Sequence, residues 1–342
     1  MPRLTQIDDV LFPVEEHPVF VSVRTESGER RLSVPDKKAI VNTKTNRVLG
    51  VVSRGYRLVT NGQALDWAHQ CCQTAFPETK PGEWKVKATD APATGGHCFI
   101  DLVHNSTALD FTFVPAKDRP DAFGPFIRVT NSYNALRALV FDMGFRRKVC
   151  KNGLILPESI IRFKFTHLQR DIGETINFEV AHERLSKLKI SFSEYLGVLR
   201  KCAVTSTEFE PLFCGVLLIR KPKNMKPDSP MANDWGVLSQ HLGTLCSRYI
   251  EELGENAYAV FNAITEFASH PPDNRCVHRD RHSFQRLAGY WLSKFSQECR
   301  QPGFTLSDYL TKLAKDNGNG SSPRVRLARR AREIPGGRAS WL

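Results

Sequence analysis

The chain has 342 residues, of which 41% are hydrophobic, and a formal net charge of +12. That apolar fraction is near the globular norm, so most of the chain can fold, and the absence of any apolar run of about eighteen residues excludes an ordinary membrane span. Nine scattered cysteines and an N-terminus without a secretory hydrophobic segment are typical of a reduced compartment, so we expect a cytoplasmic protein.

The first part of the chain predicts an N-terminal arm, a hairpin and a helix. Residues 1–37 form the arm, with an edge strand at residues 19–23. Residues 39–59 alternate as two strands around a turn at residues 43–46, and Gly55 indicates a bulge or a bend in the second strand. Asn61 is a typical helix N-cap and precedes an amphipathic helix that ends near Ala75.

The next hundred residues predict an antiparallel sheet. After a loop at residues 77–96, strands are predicted at residues 97–103, 109–114, 126–130, 136–143 and 160–166, separated by a loop at 115–125 and turns at 131–134 and 152–153. In the last strand Phe163 and Phe165 point to one face, whereas Arg162 and Lys164 point to the other. This alternation is typical of a half-buried strand with one cationic face.

Beyond residue 170 the apolar residues recur every three or four positions. This period predicts a long helix at residues 176–201 that packs on the sheet, followed by helices at 234–253, 255–268, 283–299 and 305–315. From residue 316 the composition of Asn, Gly, Ser, Pro and Arg predicts a disordered tail. The fold class is therefore α+β, divided into residues 1–37, a core domain at 38–205, a mostly helical part at 206–315 and the tail at 316–342.

Positive charge is concentrated in two segments. Residues 146–170 hold seven Lys or Arg and one acid, and residues 324–338 hold six Arg and one acid. Such clustering is the electrostatic footprint of a polyanion binder, although a solubilising surface with a solvated tail would have the same composition. The predicted nucleic-acid contacts are Arg128, Arg146, Arg147, Lys148, Lys151, Arg162, Lys164, Arg324, Arg326, Arg329 and Arg330.

Three groups of residues are candidates for chemistry, and none forms a complete motif. The first group has a spacing that can bind zinc: Cys276, His278, Asp280 and His282. Arginines lie between these residues, so the interpretation as the polar start of a helix is favoured. Cys150 lies among cations that favour the thiolate, with His167 as the candidate base. Asp101 and Asp110 lie on neighbouring strands, where a nuclease would place metal ligands, but no third acid accompanies them. We expect no cofactor and no bound metal.

Five short motifs occur in a fixed order: VLGVVS at residues 48–53 followed by Tyr56 and Asn61, NSYNA at 131–135, RKVCKNGL at 147–154, FKFTH at 163–167 and NAITE at 262–266. Together they resemble the DUF932 family of phage/plasmid-like proteins over about residues 38–300. The family's turn carries His and Asp where this chain has Tyr133 and Asn134. This departure weighs against acid–base or metal chemistry at the turn. The resemblance implies a setting on mobile elements and a role in DNA processing, transfer or counter-defence.

The leading hypothesis is a non-enzymatic nucleic-acid-binding protein of a phage- or plasmid-type element. Single-stranded DNA is the favoured ligand and RNA an alternative, with strand annealing as one mode of action. The first rival is a counter-defence or regulatory protein that binds a host protein, and the second is a metal-dependent nuclease. A homo-oligomer is compatible with each of them, and no membrane partner is expected.

Overall fold

The computed structural model describes residues 3–26, 28–80, 82–106, 109–113, 121–147, 153–155, 162–168, 180–223 and 225–318. The chain forms two compact units from interleaved segments. The first unit contains Met1–Asp110, Gly124–Phe145 and Glu158–Leu188, and the second contains Phe111–Phe123, Arg146–Pro157 and Lys189–Leu342. Helices and antiparallel sheets are both extensive, which confirms the α+β class.

The strands form two sheets. One has the order β1-β5-β6-β8-β9-β10, with β7 paired to β8 and β11 paired to β9, and the other has the order β2-β3-β4. Their bounds are β1 (Arg3–Leu4), β2 (Val14–Thr25), β3 (Gly28–Asn42), β4 (Arg47–Ser53), β5 (Trp84–Pro92), β6 (His97–His104), β7 (Phe111–Phe113), β8 (Asp121–Ser132), β9 (Leu139–Arg147), β10 (Gly153–Ile155) and β11 (Arg162–Phe165).

The predicted hairpin is present as β3 and β4, and the predicted edge strand lies within β2. Asn46 closes the hairpin turn with a φ of 53°, a conformation that Asn tolerates. The register shifts between Ile40 and Val41 and leaves Leu49 of β4 as the extra residue of a bulge, whereas Gly55 belongs to the turn that follows β4. Most of β2 and the first half of β3 are exposed, and they form a two-stranded arm.

The helices are α1 (Asn61–Ala75) in the first unit, α2 (Val180–Lys201) starting in the first and continuing in the second, and five more in the second: α3 (Ser206–Leu217), α4 (Pro230–Leu253), α5 (Ala257–Ser269), α6 (Arg281–Glu298) and α7 (Leu306–Gly318). The long amphipathic helix is confirmed as α2, which buries Phe192 against Phe123 of β8 with ring centroids 5.2 Å apart. The second unit has an aromatic core, in which Phe267 of α5 meets both Phe213 of α3 and Phe284 of α6.

Four elements were not predicted, namely the strands β1, β5 and β10 and the helix α3, and a cap was misplaced. Strand β5 lies inside the predicted loop at 77–96, although its side chains alternate in burial from Trp84 onwards. Helix α3 contains Pro211, a residue that argues against a helix interior, but a capping box between Thr205 and Glu208 starts it. The N-cap of α1 is Thr60, because its hydroxyl accepts from the Gln63 N–H while the Gln63 side chain accepts from the Thr60 N–H.

Asn61 instead joins a buried polar network at the start of α1. Its backbone N–H donates to the phenolic oxygen of Tyr133 at 2.8 Å, and its side-chain oxygen accepts from Asn131 at 2.9 Å. Tyr56 donates from its hydroxyl to the Ser132 carbonyl at 2.5 Å. These contacts tie the segment after β4, the start of α1 and the turn after β8 into one core.

Gly50 lets this turn approach β4. A Cβ placed on Gly50 would lie 2.6 Å from Cα of Asn134 and 2.9 Å from the carbonyl oxygen of Tyr133. Both are backbone atoms, so the turn would have to move. Only a residue without a side chain permits this contact.

We predict that Gly50→Ala lowers the free energy of unfolding by about 1–3 kcal/mol, because an added methyl group overpacks the core. Urea unfolding followed by circular dichroism measures the change. Gly55→Ala is the control, since a Cβ there meets nothing within 4 Å, and we expect it to stay within about 0.5 kcal/mol of the parent. Equal stability of the two variants would contradict the close approach.

Candidate functional site

The predicted cationic face on β11 is present in part. Residues 162–165 pair antiparallel with β9, and Arg162 lies opposite Asp142. Lys164 is exposed while Phe165 is buried, as the alternation predicts. The side chain of Arg162 lies outside the described part of the structure. Of the seven predicted contacts on the folded part, Lys164 is therefore the one described as fully exposed.

The expected exposure of Arg128 is wrong. Its side chain is 2% exposed and forms a two-pronged ion pair with Asp101 of β6, through Nε to Oδ1 at 2.5 Å and Nη2 to Oδ2 at 2.6 Å. Burial disfavours the guanidinium charge, but Asp101, together with Asp142 and Asp90, raises the pKa of Arg128 on balance. Strand alternation alone could not show which face of β8 is covered. The pair also neutralises Asp101, one of the two carboxylates considered for a nuclease metal.

The expected exposure of Arg147 is also wrong. Strand β9 continues through Arg146 and Arg147, so both residues belong to the sheet. Arg147 is buried and its Nη2 lies 3.2 Å from Oε1 of Glu252 in α4, while Arg146 is half-buried. The remaining predicted contacts lie outside the described residues: Lys148, Lys151, Arg324, Arg326, Arg329 and Arg330.

We predict that Arg128→Ala destabilises the protein by about 3–5 kcal/mol, because it leaves the carboxylate of Asp101 buried without its partner. Lys164→Ala, which removes an equal charge from an exposed position, should change stability by at most about 0.5 kcal/mol. The double variant Arg128→Met with Asp101→Leu should regain most of the loss. Similar effects of the Arg128 and Lys164 single variants in urea unfolding would contradict the buried pair.

His167 packs in the core of the first unit. Its ring stacks on Tyr56 with centroids 4.6 Å apart, and its Nδ1 lies 3.0 Å from the Arg57 carbonyl oxygen, to which it donates. Nε2 is buried and has no hydrogen-bond partner among the described residues. Burial therefore lowers the pKa of His167, although the bond to Arg57 opposes the shift. Cys150, its supposed partner, lies outside the described residues.

We predict that His167 makes stability pH-dependent. The folded pKa is below the unfolded value of about 6.5, so the unfolded chain binds the proton first and stability falls as pH drops below about 6.5. The slope from one such group is at most about 1.4 kcal/mol per pH unit.

Unfolding measured from pH 5 to 8 should be less pH-dependent in His167→Asn, which keeps a donor for Arg57. The comparison with the parent removes the contribution of His69, whose pKa burial also lowers. An unchanged slope would show that His167 does not titrate as proposed.

A second cationic segment lies in the second unit, between α3 and α4. Residues 220–226 contain Arg220, Lys221, Lys223 and Lys226 and no acid. All four cations are exposed, and none has an ion pair with any residue that the structure describes. We call residues 220–226 the basic loop; Asn224 within it lies outside the described residues.

The basic loop follows directly from the ends of two helices. Leu218 caps α3 in the left-handed conformation with a φ of 56°, which turns the chain out of the helix. Ser229 caps α4, where its hydroxyl accepts from the Ala232 N–H, and Pro230 is the first helical residue. The positive end of the α4 dipole therefore follows the loop and reinforces its attraction for anions.

A groove of about 500 Å³ adjoins the loop. One face of α3, the first turns of α4 and the start of the loop line it: Ser206, Thr207, Glu210, Pro211, Cys214, Ile219, Lys221 and Trp235. Burial and the nearby Glu210 raise the pKa of Cys214 to about 12, so this cysteine is a thiol and not a nucleophile.

The basic loop has a clear sequence signal, but it is not among the predicted nucleic-acid contacts. RKPKNMK has four cations in seven residues, a density like that of RRKVCK at 146–151. The net charge of a longer stretch does not reveal the loop, because acidic residues lie on both sides of it: Glu208, Glu210, Asp228 and Asp234. The groove could not be foreseen, since α3 itself was not predicted.

Within the described residues, no group of three or more His, Cys, Asp or Glu side chains is arranged to hold a metal ion. Asp280, from the zinc-like spacing, caps α6 by accepting from the Ser283 N–H at 2.7 Å. None of the described helices is long and apolar enough to cross a membrane.

The fold and this site define an α+β protein with a buried polar network in the first unit and, in the second, a basic loop whose cations have no ion pair with described residues. The family model described as Domain of unknown function (DUF932) matches residues 48–291, and the chain belongs to that family. No curated protein and no solved structure matches the chain.

Proposed function

We propose that the protein binds nucleic acid, with single-stranded DNA as the first ligand and RNA as the alternative, and that it serves a phage- or plasmid-type mobile element without catalysing a reaction. The observation that carries the proposal is the basic loop, in which four exposed cations have no ion pair with any described residue. A polyanion is the ligand that would neutralise such a segment.

The distribution of ion pairs supports this choice of site. Arg128 and Arg147 are already neutralised by Asp101 and Glu252, so a phosphate would have to compete with a protein carboxylate. The cations of the basic loop meet no such competitor among the described residues. Lysine and arginine contacts to phosphates release counterions, which makes the affinity depend strongly on salt. Backbone contacts of this kind position a strand without reading its sequence.

We predict that Lys223→Ala with Lys226→Ala weakens binding of a single-stranded oligonucleotide. If each lysine meets one phosphate, the slope of log K against log salt should fall in magnitude by about 1.4 for the pair. Fluorescence anisotropy of a labelled strand across a salt series measures this slope.

The matched control is Lys187→Ala with Lys312→Ala. It removes the same charge, but each of these lysines is exposed and already pairs with a glutamate, Glu183 or Glu298. We expect its salt slope to equal that of the parent. If both double variants show the same slope, net charge alone drives binding and the loop is not the site.

A protein partner is the second candidate, because the β2–β3 arm exposes apolar side chains. Phe20, Val21 and Leu32 are 53%, 50% and 44% exposed, and Val21 lies directly opposite Leu32 in the register. Contiguous exposed apolar residues mark interaction surfaces. If the parent binds neither DNA nor RNA at low salt, while Phe20→Ser with Val21→Ser abolishes co-purification of one host protein, this candidate replaces the first.

A further inference from the structure

The groove beside the basic loop combines three kinds of surface. Trp235 is a half-buried aromatic side chain, Pro211 and Ile219 are apolar, and Ser206 and Glu210 are polar. Lys221 belongs both to the groove and to the basic loop. A ligand that fits all of these has a flat ring, exocyclic polar groups and an attached anion.

We propose that this groove is a nucleobase subsite, which takes one base of a single strand whose phosphates lie on the basic loop. This inference rests on the proposed function and specifies its ligand. The loop holds the backbone, Lys221 meets the phosphate nearest the groove, and the base enters beside Trp235.

Trp235 supplies the stacking surface. Every base has an aromatic face, and stacking on a tryptophan tolerates any sequence, which suits a strand bound mainly through its phosphates. A base in a duplex is already stacked between its neighbours, so only an unpaired base can enter the groove. The subsite therefore favours single strands over duplexes.

Glu210 supplies a preference among the bases. Its side chain is exposed and has no hydrogen bond or ion pair with any described residue. A carboxylate accepts hydrogen bonds only, and the amino groups of cytosine and adenine donate them. Thymine has no amino group and offers only its single N3–H, whereas an amino group offers two N–H donors. The groove should therefore take cytosine or adenine more tightly than thymine.

The experiment compares labelled strands of equal length and charge: all-cytosine, all-thymine, and a strand of abasic sugar phosphates. Anisotropy at fixed salt should give affinities in the order cytosine, thymine, abasic. Trp235→Ala should reduce the affinity for the cytosine strand about 5- to 150-fold, the range found for loss of base stacking. It should leave the abasic strand unchanged.

Four further variants separate stacking and base preference from packing. Trp235→Phe keeps an aromatic ring and should retain most of the affinity, while Val237→Ala, an exposed position two residues along α4, should match the parent. Glu210→Gln should reduce the ratio of cytosine to thymine affinity towards one. Glu78→Gln, an exposed acid of the first unit, should leave that ratio as it is.

Failure of the subsite is distinguishable from failure of the proposed function. If the parent binds all three strands equally, and this affinity depends on salt and is weakened in the loop variants, the protein binds phosphates only. That result overturns the nucleobase subsite. A parent that binds none of the strands overturns both proposals. An unchanged base preference in Glu210→Gln overturns the role given to that carboxylate.

Discussion

The hydrogen bond from the Asn61 N–H to the phenolic oxygen of Tyr133 is the contact on which the core of the first unit depends. The first N–H groups of a helix have no partner within the helix, and Asn61 is the first residue of α1. Tyr133 is fully buried, so an unpaired hydroxyl there would carry a desolvation penalty. Each group satisfies the other, and Asn131 completes the network by donating to the Asn61 side chain and to the Val59 carbonyl.

This network explains why the sequence motifs of the family resemblance point to structure rather than to chemistry. Tyr56 and Asn61 come from one motif and Tyr133 and His167 from two others, yet all four contribute to the packing of the first unit. In the helix NAITE, Glu266 accepts from Arg248 at 2.5 Å and from Tyr249 at 2.6 Å, which links α5 to α4. Burial raises the pKa of Tyr133 far above its ordinary value, so this side chain is a neutral hydrogen-bonding group.

The fold was largely predictable because its signals are local, whereas the site depended on partners distant in sequence. Alternation identified β11, and the apolar period identified α2. Arg128 and Arg147 carry no local sign of burial, because the acids that pair with them lie 27 and 105 residues away in the chain. Strand β5 was missed for another reason. Its first residues alternate between the apolar Trp84 and Val86 and the charged Lys85 and Lys87, but two apolar residues are too few to distinguish a strand from a loop. Charge counting thus measures how many cations exist, but only the structure shows which of them lack a partner.

Cations with an ion-pair partner stabilise the fold of this protein, whereas the cations of the basic loop are the ones available to a ligand. Arg128 and Asp101 are both desolvated, so each stabilises the other's charge and neither is available to a ligand. The four cations of the basic loop stay hydrated, and their mutual repulsion is a cost that the folded protein bears without compensation from described acids. A bound phosphate chain would relieve that repulsion at several points along the loop. The α4 dipole acts in the same direction, since its positive end begins at Ser229, three residues after Lys226. The loop's four unpaired cations and the dipole beside them both favour an extended anion there.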